Sequence, residues 1–331
     1  YEDKAVTQDF NTYYFSYKEI DYKKGIPVKN ISRNKKISDE TINKSSSYLN
    51  AKKYLDFFAS KAIQLSDNST AFSYSSNEFD YSSIIGETAY TYRTGVEFTP
   101  QELYMLNGIG KSTKEKHYRF KKKEFALSKY KVSDMPENGW DLPTEYIYPM
   151  LTAPNIVPFF YDRTNEYCIV PYSKEDIKNP VKEEELLLTN KELYLYLSKH
   201  IELIDSQSAK SKMMHRGKEF YALSKIGSYT FAPYIVAARD NSKFCATVVK
   251  PSITDWKEEK HTICVKHTII ISQKKDGSFI SEDEAHYICG ILNSDIVKSY
   301  IENTFKSNGY SLNKSNLNLP EYDESNSLHK E

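Results

Sequence analysis

Between residues 45 and 66, apolar side chains recur at spacings of three and four: Tyr48, Leu49, Tyr54, Leu55, Phe58, Ala59 and Ile63. That spacing lines one face of an α-helix. Two later segments share it. Residues 190–206 place Leu193, Tyr194, Leu197, Ile201 and Ile204 on one face, and residues 281–305 include Ile288, Ile291, Leu292 and Ile296. Ser281 precedes the last of these with Glu284 three residues on, the spacing of a capping box. Shorter apolar and β-branched runs predict strands at residues 13–20, 89–94, 102–106, 167–171, 231–238, 245–249, 262–265 and 267–271. Helices and strands mix without a regular strand–helix–strand alternation. The predicted class is therefore α+β, with mixed β-sheets and packed helices. Residues 67–80 are rich in Ser and Asn and read as a linker. They separate an N-terminal segment, 1–83, from a main domain, 84–331.

The chain has 331 residues with 39% hydrophobic and 27% charged side chains, a globular balance. No apolar run approaches the ~20 residues that a membrane helix needs, so no membrane partner is expected. Tyr1 is followed by Glu2, Asp3 and Lys4 with no apolar stretch behind them, which argues against a signal peptide. A chain opening on Tyr is expected to be cut from a longer protein. Cys168, Cys245, Cys264 and Cys289 are isolated, mostly among apolar neighbours, and form no CxxC pair. They read as buried reduced thiols, which favours the cytoplasm. Lys plus Arg (45) equals Asp plus Glu (45). That argues against a uniform polyanion-binding coat but leaves room for a local basic face, since charge acts over about 10 Å at 0.1 M salt. The 28 tyrosines fit a stacking role and AT-rich codon usage equally well.

Two short motifs invite an enzymatic reading. Gly108-Ile-Gly-Lys-Ser112 has the end of a phosphate loop, but Met105 stands where the first glycine belongs. Glu258-Glu259-Lys260 contains the E-x-K of metal-dependent nucleases, a triplet that surface charge runs also produce. The histidines show no metal-ligand spacing.

The C-terminal part carries a more specific pattern. The predicted helix reads Glu284-Ala-His-Tyr-Ile-Cys-Gly-Ile-Leu-Asn-Ser-Asp-Ile-Val-Lys-Ser-Tyr-Ile-Glu302, with Leu292-Asn293-Ser294 inside it. A polar loop follows, then Leu317-Asn-Leu-Pro320. Upstream, in order, stand Tyr92-Arg-Thr-Gly-Val-Glu-Phe-Thr-Pro100, Glu145-Tyr-Ile-Tyr-Pro-Met-Leu-Thr-Ala-Pro-Asn-Ile156, Cys168-Ile-Val-Pro-Tyr172, Arg216-Gly-Lys-Glu-Phe-Tyr221 and Phe231-Ala-Pro-Tyr-Ile-Val-Ala-Ala-Arg-Asp240. From about residue 84 onward, this succession resembles the target-recognition domains of adenine-specific DNA methyltransferases and of fused, type IIG restriction-modification enzymes. The family's "LNS" helix, "LYPLLKGKDI" segment, "KIVYPRI" strand and "LPIP" exit each have a counterpart. At the start of the domain, Gly95-Val96 and Thr99 fit the family pattern, but its second glycine is missing near Pro100. Residues 1–83 have no clear counterpart and are expected to be the end of a methyltransferase domain with a connecting helix and linker.

The resemblance implies a bacterial, sequence-specific DNA-recognition region without catalytic residues of its own. The family's methyl-transfer loop, (Asn/Asp/Ser)-Pro-Pro-(Tyr/Phe/Trp), is absent, and so is a glycine-rich turn of the doubly wound kind. No cofactor is therefore expected in this chain. S-adenosylmethionine is expected in an upstream methyltransferase domain, which with double-stranded DNA would be its partner. Phosphates need cations, and base edges need side chains in the grooves. The candidates are two basic clusters, Lys111, Lys114, Lys116, Arg119, Lys121, Lys122 and Lys123, then Lys210, Lys212, Arg216 and Lys218. Lys306, Asn308, Gly309, Tyr310, Asn313 and Lys314 follow the LNS helix, and Thr94, Gly95 and Thr99 stand at the domain start. Arg93 and Arg239 are either contacts or buried structural residues. Changing Lys121, Lys122 and Lys123 together to Ala is expected to weaken binding and flatten its salt dependence. Two other readings stay open: a specificity subunit acting in trans, though neither a duplicated domain nor a coiled coil is present, and a metal-dependent nuclease.

Overall fold

A computed structural model of the protein describes residues 25–33, 47–64, 72–73, 81–125, 138–205, 218–239, 243–304, 312 and 317–330. The chain divides into two compact units, Tyr1–Ile85 with Ser299–Asn308, and Gly86–Lys298 with Gly309–Glu331.

In the smaller unit, β1 (Ile26–Arg33), β2 (Leu55–Gln64) and β3 (Phe72–Ser73) form an antiparallel sheet in that order. A single helical turn, α1 (Tyr48–Ala51), precedes β2. The long helix expected across residues 45–66 is thus mostly strand. Eight residues of β2 pair in register with β1, from Leu55 opposite Arg33 to Ala62 opposite Ile26. The apolar residues that suggested a helical face do not share a buried side: Leu49 is 79% exposed and Phe58 57%, while Ala62, outside that set, is buried. The Leu-Asp-Phe-Phe-Ala run satisfies either period, and the partner strand decides between them. The strand predicted at 13–20 lies outside the described residues.

The larger unit is α+β. Its strands are β4 (Tyr90–Thr94), β5 (Met105–Lys111), β6 (His117–Lys122), β7 (Trp140–Pro143), β8 (Ile147–Leu151), β9 (Ile156–Val157), β10 (Phe160–Tyr161), β11 (Glu166–Ile169), β12 (Ile235–Arg239), β13 (Ala246–Val249), β14 (Ser252–Ile253), β15 (Glu259–Lys260), β16 (Ile263–Cys264) and β17 (Thr268–Lys274). They build a six-stranded sheet, β16-β8-β11-β5-β6-β7, and a four-stranded sheet, β13-β12-β17-β4, with two small hairpins, β9–β10 and β14–β15. Pairing is antiparallel except between β16 and β8. β17 is buried from Thr268 to Ser272 and sits between β12 and β4, which suits its Ile-Ile-Ile run. Residues 102–106, predicted as strand, are split: α2 (Gln101–Tyr104) is one helical turn, and the strand starts at Met105.

α3 (Glu183–Thr189), α4 (Lys191–Ser198) and α5 (Ile201–Asp205) replace the single helix expected over 190–206. Tyr196 of α4 packs on Trp140 of β7, with ring centroids 5.3 Å apart, and donates its hydroxyl to the Leu103 carbonyl at 2.8 Å. One core holds Leu103, Leu106, Phe120, Leu142, Ile147, Ile169 and Tyr196 between the large sheet and these helices. A second holds Ile156, Ile235, Cys245, Cys264 and Ile270.

Gly95 lets the two sheets join. Its N–H bonds to the Thr268 carbonyl (3.0 Å), Val96 N–H to Cys264 (2.9 Å), and Lys266 N–H to Val96 (2.8 Å). The chain thus leaves β4 and pairs beside β16 within two residues. The next residue, Glu97, bonds Lys266 and Lys225. Burial raises its carboxyl pKa, but the two ammonium groups outweigh this and hold it below the ordinary value. A group lowered on folding stabilises the fold above the unfolded carboxylate pKa, and that stability is lost as pH falls through the folded value. Glu97→Gln is therefore expected to flatten the acid limb of a thermal-midpoint-versus-pH curve. An unchanged limb would remove Glu97 from acid sensitivity.

Candidate nucleic-acid interface

The first basic cluster lies on the β5–β6 hairpin. Alternation along β6 turns Tyr118 and Phe120 inward, where they stack with Tyr167 and Trp256; the Tyr118–Trp256 and Tyr167–Trp256 centroids are 5.3 and 4.9 Å apart. His117, Arg119 and Lys121 fall on the opposite face. Acids from elsewhere in the fold consume much of the charge. Arg119 Nε bonds Asp141 Oδ1 of β7 at 3.0 Å. Lys114 Nζ bonds Glu192 of α4 at 2.9 Å, with His117 Nε2 3.7 Å from the same carboxylate. Lys123 pairs with Glu166 of β11. The bonds from Arg119 and Lys114 hold the carboxyls of Asp141 and Glu192 below their ordinary pKa. Lys122 is half-buried and has a contact of its own. Lys111, Lys116 and Lys121 are exposed, and none has an acid within ion-pair distance among the described residues. The cationic surface available to a phosphate is thus narrower than the run of basic letters implied. No local signal marks the neutralising acids, which come from three other elements.

At the domain start, Gly95 is buried and serves the sheet junction rather than a surface. Thr94 and Thr99 are half-buried; Thr94 pairs opposite Ile269, and Thr99 precedes a cis peptide to Pro100. Arg93 is exposed, with its guanidinium 5.5 Å from the Tyr229 ring centre. Arg239 is half-buried and donates Nη1–H to the Ile156 carbonyl at 3.5 Å, a structural placement. Lys218 is exposed and donates to the Lys178 carbonyl at 2.9 Å. Lys210, Lys212, Arg216, Lys306, Asn308, Gly309, Tyr310, Asn313 and Lys314 lie outside the described residues.

The LNS helix is two helices, α6 (Glu282–Asn293) and α7 (Asp295–Thr304), with Ser294 between them. The capping box is present: Ser281 Oγ accepts from Glu284 N–H (3.2 Å), and Glu284 Oε2 accepts from Ser281 N–H (3.4 Å). Each letter of the motif has a separate task. Leu292 is fully buried. Asn293, 5% exposed, binds one residue of edge strand β13 on both sides: its Oδ1 accepts from Ala246 N–H (3.1 Å), and its Nδ2 donates to Ala246 C=O (2.8 Å) and Cys289 C=O (3.0 Å). Its amide acts as one rung of a further strand. Ser294 Oγ donates to the Ile291 carbonyl (2.7 Å), closing α6, and accepts from Val297 N–H (3.4 Å), opening α7.

The two enzymatic motifs have structural roles. Gly108–Lys111 is ladder in β5, paired with β6, and no helix follows it to point amides at a phosphate. Lys260 Nζ donates to the Thr144 and Glu145 carbonyls (3.1 and 2.9 Å) and lies 3.7 Å from Glu258, which accepts from Trp256 Nε1 at 2.9 Å. Burial lowers the Lys260 pKa. The E-x-K side chains thus tie the β14–β15 hairpin to the β7–β8 turn, beside an open cleft of about 420 Å³ lined by Tyr148, Lys174 and His261. Among the described residues, no three metal-binding side chains converge, and no helix is long and apolar enough to cross a membrane.

The fold and surface thus define an α+β protein whose larger unit joins two sheets and carries a basic hairpin. No protein-family model and no curated protein matches the chain.

Proposed function

We propose that this chain is the DNA-reading region of a bacterial N6-adenine DNA methyltransferase or fused restriction-modification enzyme, with methyl transfer performed by another domain. The observation that carries the reading is the LNS helix in its ordered setting. The motif's asparagine latches helix to sheet edge, and the resembling segments before it supply β4, β8, β11 and β12 of the same unit. The chain's own residues do not suit S-adenosylmethionine, because neither the Pro-Pro loop nor a glycine-rich strand turn is present. Duplex contact by this region would be positional at the β5–β6 hairpin, through Lys111, Lys116 and Lys121.

The test is a titration of end-labelled duplex DNA of mixed sequence with the full chain at several salt concentrations. Changing Lys111, Lys116 and Lys121 together to Ala is expected to weaken binding and to reduce the slope of log K against log salt by up to about 3, since each phosphate contact contributes about 0.9. Lys123→Ala serves as the control: it breaks the pair with Glu166 and should leave the slope nearly unchanged. The set Lys121–Lys123 is a poorer probe for that reason. No duplex binding at low salt, or a slope unmoved by the triple change, rejects the reading.

A further inference from the structure

The two-residue turn of the β9–β10 hairpin exposes four consecutive apolar residues, Val157-Pro158-Phe159-Phe160. Phe159 is 65% exposed and Phe160 61%. Such a run on a surface is disfavoured unless something uses it. The backbone adds a second anomaly. Phe159 has φ +65°, the third position of a type II turn, where glycine or asparagine normally stands. A bulky side chain in that region is uncommon and marks functional sites when the surroundings hold it there.

The surroundings do hold it. Phe159 N–H donates to the Ala246 carbonyl at 2.9 Å, the same carbonyl that accepts from Asn293 of the LNS helix. Asp162 N–H closes on Asn155 C=O at 2.9 Å, and Ile156 beneath is fully buried. The base of the hairpin is anchored, while both tip rings stay exposed, Phe160 stacked on Tyr161 with centroids 6.3 Å apart. Arg163, exposed, follows the tip and donates to the Ile253 carbonyl. The chain runs on, outside any strand, to Asn165, which exchanges bonds with Gly108 of β5 (2.8 and 3.0 Å). Phe160 therefore stands at most about 18 Å from Asn165 by chain reach, and Lys111 is three residues beyond Gly108. Both features fall within one turn of a duplex, roughly 34 Å.

From this juxtaposition we propose that Phe159 and Phe160 form an aromatic wedge that enters a base step of double-stranded DNA while the basic hairpin holds the adjoining phosphates. The inference rests on the DNA-reading function above. Apolar side chains inserted this way unstack a step and bend the duplex. The partner is assigned as nucleic acid rather than protein because the tip continues through Arg163 into the cationic hairpin, and no acid other than Asp162 interrupts residues 157–165.

The experiment uses the full chain and a mixed-sequence 30-base-pair duplex carrying a fluorescence-transfer pair at its ends. A second duplex set carries 2-aminopurine at successive positions. The variant is Phe159→Gly with Phe160→Ala; glycine suits the turn, so the thermal midpoint should be kept. Wild type is expected to bend the duplex and brighten 2-aminopurine at a restricted set of positions. The variant is expected to bind with the same salt slope, at least tenfold more weakly, with both signals lost. Equal affinity and equal signals in the variant overturn the wedge and leave the DNA-reading function standing. Binding by wild type without bending or 2-aminopurine change does the same. Failure of wild type to bind any duplex overturns both. Phe159→Gly alone is the safeguard against misfolding: it should lower the 2-aminopurine signal in a protein of unchanged midpoint, and an unchanged signal counts against the wedge.

Discussion

Asn293→Ala is expected to destabilise the larger unit by about 3 kcal/mol. The substitution removes the bonds donated to the Ala246 and Cys289 carbonyls, a longer one to Cys289 Sγ (3.4 Å) and one accepted bond, in a position that is 5% exposed. Ala246 would lose its N–H partner, and its carbonyl would keep only Phe159 N–H. Leaving a buried backbone group unmet costs about 1–3 kcal/mol, and partial entry of water at a strand edge offsets some of the sum. For a unit of this size, the thermal midpoint should fall by roughly 6–12 °C, at 2–4 °C per kcal/mol. Asn293→Asp separates shape from bonding. The carboxylate keeps the outline and can accept from Ala246 N–H, but it cannot donate to the Ala246 and Cys289 carbonyls and places charge against them. It should be at least as damaging near neutral pH. Its folded-state pKa would be raised, so the loss should shrink as pH falls towards the range where the carboxyl is protonated. Urea denaturation followed by circular dichroism measures both. A change under about 0.5 kcal/mol in Asn293→Ala would refute the latch.

Gly95→Ala is expected to cost about 3 kcal/mol or more, enough to show as poor soluble yield. A Cβ built at Gly95 lies 2.4 Å from the Val265 carbonyl oxygen and 2.5 Å from that of Cys264. Both are hydrogen-bonded backbone atoms, Cys264 C=O accepting from Val96 N–H across the junction and Val265 C=O from Thr268 N–H in the turn before β17, so neither can swing aside as a side-chain tip would. Relief requires stretching Val96 N–H to Cys264 or Lys266 N–H to Val96. Overpacking of this kind costs about 1–3 kcal/mol in ordinary cores, and strained backbone bonds add to it. Gly277→Ala offers a contrast: no atom lies within 4 Å of a Cβ there, so its cost comes from backbone conformation alone, at φ +89°. Equal stability of Gly95→Ala and wild type would show that the junction can open without loss.

Both effects concern motif residues first noticed for their resemblance to DNA-recognition domains, and both have explanations inside the fold. Gly95 was a candidate contact; its role is close approach of two strands. Asn293 gave the pattern its name, and it fastens a helix to a sheet. Under the proposed function the contact surface lies elsewhere, on Lys111, Lys116 and Lys121 and on the aromatic turn at Phe159. The turn carried a readable sign, four apolar residues in a row, but a buried strand has the same composition, and only the φ of Phe159 and its exposure separate the two.

The amino-acid sequence alone determined the features written in local order. The Ser281/Glu284 cap involves residues three apart. The β-branched runs of β12, β13 and β17 suit a pleated, buried ladder wherever they pair. The α+β class follows from how such segments alternate. Tertiary structure decided what depends on partners far along the chain. β2 is strand rather than helix because β1 lies beside it. The basic run is partly silenced because Asp141, Glu166 and Glu192 stand 22, 43 and 78 residues from the cations they meet. The asparagine of the LNS motif acquired its purpose from Ala246, 47 residues upstream. Periodicity and capping are short-range properties of one segment. Pairing, charge compensation and close approach are properties of two segments at once, and no single stretch of letters contains them.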